Sequence, residues 1–193
     1  MADERLGPGF ADPVGDSQRV FRAALLAMAH PGRIQDLALD LSPPAPLGLA
    51  QVALALMLLD FEVAVWLDET ALPAADYLRF HTGAQLAAAP GEANYCLIAG
   101  ALPPLAGFKA GSDEAPEAGA TLIVAVAALA ETGPWRLRGP GIDGEASLGV
   151  RGLPHRFLGD WAENGAAFPR GLDLYLCAGS RLVGLPRTLA IGG

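Results

Sequence analysis

The chain holds 193 residues, 52% apolar and 18% charged, with 13 basic against 21 acidic side chains and a net charge of −8. That apolar content excludes an intrinsically disordered chain, and the lack of a triplet glycine or a sustained heptad excludes collagen-like and coiled-coil classes. An acidic balance without a basic stripe excludes a reader of duplex nucleic acid, and the apolar excess is expected to be buried in part against another subunit.

Residues 1–9 are polar and rich in Gly and Pro, and read as a flexible arm. No apolar stretch follows Met1–Arg5, so no secretory signal is expected. Asp16 or Ser17 can cap a first helix, with Val20, Phe21, Ala24, Leu25 and Met28 on one face and Pro31-Gly32 as its stop. Ile34, Leu37 and Leu39 read as a short strand, and Ser42–Pro46 as a proline-rich connector. Gly48–Leu59 is apolar nearly all round, the pattern of a helix buried on most sides. Val63–Leu67 reads as a strand covered on both faces. Pro73 starts a helix that runs to Thr82 and is closed by Gly83.

Asn94–Ala99 and Thr121–Ala128 are strand candidates, separated by a loop segment over Leu102–Pro116. Trp135–Arg138 and Ser147–Val150 read as shorter strands around the turn Gly139-Pro140-Gly141, and Pro154–Asn164 as a helix with Phe157, Leu158 and Trp161 on one face. Leu172–Ala178 and Arg181–Leu185, separated by Gly179-Ser180, have the spacing of a two-residue hairpin. Helices alternate with strands first and strands dominate later. The expectation is an α/β fold: a single layered domain over residues 10–193, with a mixed β-sheet flanked by helices.

Chemistry-bearing motifs are few. There is no G-x-S-x-G elbow and no P-loop, and His30, His81 and His155 do not fall at metal-ligand spacing, so no metal site is expected. Lys109 is the only lysine; every other fixed cation is an arginine, a fork for phosphate or carboxylate but no Schiff-base amine. Arg79-Phe80-His81-Thr82 places a fork, an imidazole and a hydroxyl near one helix end. They suit a phosphate-like anion, or only a C-terminus whose dipole favours cations. Pro186-Arg187-Thr188 leaves the last of these strands, to reach a cleft or to end as a surface arginine. Glu117 stands before the strongest strand, to orient an arginine or to lie solvated, and Asp173 at the start of an apolar strand needs a partner if buried. Cys96 and Cys177 read as two buried free thiols of a reducing cytoplasm, with a disulfide or metal pair as the alternative. No apolar run approaches the ~18 residues of a membrane span.

The ordered set of segments resembles one family. It comprises Phe10-Ala11-Asp12-Pro13-Val14, Phe21-Arg22 through Ala27-Met28 to Pro31-Gly32, Val65-Trp66-Leu67, Arg79-Phe80-His81-Thr82-Gly83 and Pro116–Leu122. Gly139-Pro140-Gly141-Ile142, Phe168-Pro169, Gly171–Leu174 and Leu185-Pro186-Arg187-Thr188 complete it. In this order they resemble PhnH, a core subunit of the bacterial carbon–phosphorus lyase complex. The resemblance implies a fold like that of the pyridoxal-phosphate-dependent transferases but without that cofactor. It implies a cytoplasmic homodimer that assembles with PhnG, PhnI and PhnJ. It also implies a part, together with PhnI, PhnG and the ATPase-like PhnL, in displacing adenine from ATP by a phosphonate. The product is α-D-ribose 1-methylphosphonate 5-triphosphate or a related ester. The isolated chain is expected to be inactive, and a purely architectural homodimeric scaffold is the alternative. Arg79, His81, Arg187 and Thr188 are the candidate site residues. His30, Ala64 and Leu189 depart from the family pattern, which commonly has a basic residue, a proline and a threonine at those positions.

Overall fold

The computed structural model describes residues 6–192. Helix α1 spans Pro13–Ala29. It starts earlier than expected because Asp12 is the N-cap: its carboxylate accepts the Gly15 N–H at 3.1 Å, and Asp16 reaches back to the Asp12 N–H at 2.9 Å. This reciprocal pair satisfies two of the orphan donors of the helix start. Asp16 is held below its ordinary value of 3.8 first by the Arg19 guanidinium and then by the Asp12 N–H. A carboxyl lowered in the fold stabilises above its unfolded value and withdraws that support as the pH falls through the lowered one. Wild-type helicity, followed by circular dichroism, is therefore expected to begin falling below about pH 4. The Asp16→Asn protein should be less stable at neutral pH and should show a flatter acid limb.

The face that α1 buries differs from expectation. Asp16, Val20, Ala24 and Ala27 are buried, whereas Phe21 and Leu25 are 55% and 56% exposed. The cause is a close approach. A Cβ at Gly184 would lie 2.7 Å from the Ala27 carbonyl, so the helix rests on the sheet backbone through small residues and turns its large ones outward.

Strand β1 is Gln35–Asp36 and helix α2 is Leu49–Leu58. Strand β2 is Ala64–Leu67, helix α3 is Ala75–Thr82 and strand β3 is Gln85–Leu86. Strands β4, β5, β6 and β7 are Tyr95–Ile98, Thr121–Ala125, Ala128–Arg138 and Ala146–Arg151. Helix α4 is Phe157–Ala166, and β8, β9 and β10 are Asp173–Ala178, Arg181–Leu185 and Ala190–Gly192. The fold is α/β, built on a mixed seven-stranded sheet in the order β1-β9-β8-β5-β4-β2-β3. Strands β8, β5, β4, β2 and β3 are parallel; β9 returns antiparallel through the anticipated Gly179-Ser180 hairpin.

Alternation along the central strands splits the core in two. Val65, Leu97, Ile123, Tyr175 and Cys177 meet α1, α2 and α3 on one face. Cys96, Ile98, Leu122, Val124, Leu174 and Leu176 meet Phe108, Phe157, Trp161 and a second sheet, β10-β6-β7, on the other. That second sheet exceeds the single sheet expected, and β3 and β10 were not legible, since each has only two or three residues. The turn Gly139–Ile142 locks onto the Pro31-Gly32 turn: Gly141, at φ +83, passes so close that a Cβ would meet the Ala29 carbonyl at 2.0 Å.

Of the expected arm, residues 1–5 lie outside the described residues. The remainder packs on α3: the Tyr77 hydroxyl donates to the Pro8 carbonyl at 3.0 Å, and His81 Nε2 lies 3.1 Å from the Gly7 carbonyl. No helix among the described residues is long and apolar enough to cross a membrane.

Candidate functional site

In an open α/β sheet, ligands favour the crevice beyond the carboxyl ends of the strands, at the point where the connections change direction. Here that point lies between β2 and β4, because the chain leaves β2 for β3 on one side and returns to β4 on the other. Asp68, the residue after β2, occupies it. Its carboxylate is 8% exposed and accepts the N–H groups of Ala71 at 2.9 Å, Ala99 at 3.1 Å and Gly100 at 2.8 Å. One strand further, Gln51 on α2 does the same work. Its amide donates to the Ile98 and Ile123 carbonyls at 3.0 and 3.3 Å, and its oxygen accepts the Gly48 N–H. The chain thus fills its own crevice. Gln51 had a signal in the sequence, as the one polar side chain in an otherwise apolar helix. Asp68 had none, because its partners come from two separate loops.

The tetrapeptide Arg79–Thr82 is divided by the geometry. The Thr82 hydroxyl donates to the Leu78 carbonyl and accepts the Ala84 N–H. His81 turns toward the Gly7 carbonyl, with its ring 4.4 Å from that of Tyr77. Arg79 lines an open groove of about 830 Å³ beside α3 and β3, which it shares with Asp76, Phe80 and Leu86. A carboxylate in the same groove opposes an anion there.

Arg187 lies elsewhere. Its Nη2 and Nε donate to Asp173 Oδ2 at 2.6 and 3.2 Å, and its backbone N–H donates to Asp173 Oδ1 at 2.7 Å. Its Nη1 donates to the Pro116 carbonyl at 2.7 Å and to that of Pro169 at 3.4 Å. Four of the segments singled out in the sequence, around Pro116, Phe168-Pro169, Asp173 and Arg187 itself, therefore meet at one guanidinium. Asp173 has the partner that its position required. Thr188 and Glu117 are exposed. Arg187 is anchored on β8, and Arg79 stands beside β3, four strand spacings away. At ~4.8 Å per spacing, that is about 19 Å. The candidate residues do not converge.

Both cysteines are buried and free. Burial pushes the Cys96 thiol up to about 12 and Cys177 higher still, so neither is a nucleophile at neutral pH. Burial likewise raises the Tyr175 hydroxyl to about 12, with a smaller contribution from Asp173. Lys109 is half-buried in the loop before β5, and its carbonyl accepts the Ala120 N–H at 2.7 Å. Among the described residues, no three His, Cys, Asp or Glu side chains gather as metal ligands.

Comparison with known proteins places nearly the whole chain in one family. Residues 8–192 match the family described as bacterial phosphonate metabolism protein (PhnH). The chain is 41% identical over 183 residues to the α-D-ribose 1-methylphosphonate 5-triphosphate synthase subunit PhnH of Rhizobium meliloti, covering 93% of this chain and 92% of that protein. It is also 41% identical over 83 residues to HtxG of Stutzerimonas stutzeri, described as a C-P lyase subunit protein, covering 43% of each. The chain belongs to the PhnH family of bacterial phosphonate metabolism proteins.

Proposed function

We propose that this chain is the PhnH-type subunit of a carbon–phosphorus lyase assembly that transfers the ribose triphosphate moiety of ATP to a phosphonate. Its own share is to dock and position, not to supply a reacting group. One observation carries this reading: the polar groups best placed for chemistry are consumed inside the chain. Asp68 and Gln51 fill the strand-end crevice, and the Arg187 fork is spent on Asp173 and two carbonyls. Meanwhile Phe21, Leu25, Phe61 and Phe80 are more than half exposed, as suits a protein that works among neighbours.

The same reading makes the chain a cytoplasmic homodimer that joins PhnG, PhnI and PhnJ. It needs no pyridoxal phosphate, in keeping with a lone lysine that lies in a loop. The test uses a bacterium with its own PhnH-type gene deleted and methylphosphonate as sole phosphorus source. The chain is expected to restore growth and, when tagged, to retain the other subunits on purification. Calorimetry of the isolated chain with ATP or methylphosphonate should give no saturable heat. Failure to restore growth and retain partners would overturn the subunit role; saturable binding by the isolated chain would overturn the docking role.

A further inference from the structure

A groove of about 580 Å³ opens between α4 and β10, within the roughly 300–1,000 Å³ of small-molecule sites. It shares no residue with the strand-end crevice around Asp68 and Gln51, and segments singled out in the sequence line it through Pro140, Phe168 and Thr188. Trp161 lies at its floor, 2% exposed, and the indole N–H donates to the Leu189 carbonyl at 2.8 Å, which ties α4 to the chain entering β10. Gly165 stands one turn further along α4. Its φ is not in the left-handed region, and a Cβ there would come no nearer than 3.9 Å to an atom beyond its own helix, the Arg187 carbonyl. Neither backbone geometry nor packing within the chain asks for glycine, although glycine weakens a helix relative to alanine. Its effect is to leave a cradle that a side chain would fill. Phe168 flanks that cradle, 63% exposed, and its ring pairs with no other aromatic ring among the described residues.

The lining sets the chemistry of the occupant. Arg187 is its one charged residue, and that guanidinium is already held by Asp173 and by the Pro116 and Pro169 carbonyls. A free anion finds no uncommitted cation there, and a free cation finds no carboxylate. The Thr188 hydroxyl stands exposed at the rim, and the groove reaches the end of α4, where the negative pole of the helix favours N–H donors. An unpartnered aromatic ring, room beside it and acceptors around it suit a flat, uncharged ring that carries N–H groups. We propose that this groove binds a neutral nitrogen heterocycle of the kind a free nucleobase presents. The ring packs on Phe168 over Gly165, and its N–H groups reach the Thr188 hydroxyl and the carbonyl end of α4. The site is independent of the docking role above: it supplies no reacting group and takes no phosphate.

Titration of the full-length protein with free adenine, followed by the amide shifts of the lining residues, tests it. Saturable shifts are expected at Gly165, Phe168 and Thr188. Phe168→Ala should weaken binding by about 10-fold, because a stack between base and ring is lost. Gly165→Leu should weaken it at least as much by filling the cradle, with the wild-type circular dichroism retained. Phe80→Ala removes an equally exposed ring on α3 and should leave binding unchanged. If Gly165→Leu fails to fold, the contrast between Phe168→Ala and Phe80→Ala decides. ATP and inorganic phosphate bring negative charge to a chain of net charge −8 and should not move these amides. Saturable shifts with phosphate there would overturn a neutral ligand. The absence of saturable shifts with adenine overturns the site, and so does adenine binding that Phe168→Ala leaves intact. Loss of the other subunits from tagged Gly165→Leu, with no adenine shift in the wild type, makes the groove a protein contact and overturns it as well. None of these results bears on whether the wild-type chain restores growth on methylphosphonate, so the subunit role is judged separately.

Discussion

Arg187→Ala is expected to lower the unfolding free energy by about 3 kcal/mol, a drop of about 6–12 °C in Tm for a chain of this size. The side chains of Arg187 and Asp173 are only 14% and 27% exposed. Removing one partner strands the other charge in a poorly solvated place, which costs more than the pair contributes as a whole. The Pro116 and Pro169 carbonyls lose a donor in the same step. Arg187→Lys should recover only part of the loss, because an ammonium lacks the planar fork that reaches the carboxylate and both carbonyls together. Urea unfolding of the single variants and of Asp173→Ala with Arg187→Ala closes a double-mutant cycle, expected to show strong coupling. The same experiment separates a structural role from a chemical one. Growth on a phosphonate should fall with the amount of folded protein and recover at lower temperature. An Arg187→Ala protein with unchanged Tm and no growth would instead place Arg187 in the chemistry of the assembly.

Asp68→Ala should be at least as damaging, at about 4 kcal/mol, because the buried carboxylate is the one acceptor that the Ala99 and Gly100 N–H groups have among the described residues, while the Ala71 N–H keeps the Asp68 carbonyl at 2.9 Å. Two of them, at Ala99 and Gly100, follow β4, and the third, at Ala71, precedes α3, so both loops lose their common anchor. Asp68→Asn keeps one carbonyl oxygen and should sit between the variant and the wild type. Hydrogen exchange should report fast amides at Ala99 and Gly100 in Asp68→Ala, with the β5 and β8 amides still slow under native conditions. Slow exchange at those two amides in Asp68→Ala would show that the carboxylate is not what holds the crevice closed.

Local signals in the sequence were enough for most elements. The Gly179-Ser180 hairpin needs only two residues between two apolar runs, and helix α2 needs only its apolar length. The ordered segments likewise pointed to the family without knowledge of any contact. The burial of α1 was misjudged because its apolar residues form more than one stripe, and only the closeness of Gly184 selects the small one. Strand β3 was invisible because two residues carry no periodicity; it exists because Val63 and Val65 offer it carbonyls.

The site shows the same division. Sequence alone determined that this chain has one lysine, no nucleophile–base set and an arginine after an apolar strand. It also required that an acid at position 173 find a partner if buried. Only the tertiary structure decided that the partner is Arg187, that Asp68 and Gln51 occupy the crevice, and that Arg79 and Arg187 stand apart. The physical reason is range. Capping, turn formation and apolar periodicity act within a few residues. A guanidinium or carboxylate chooses its partner among groups brought together by sheet order, and in this chain those groups lie up to 144 residues apart.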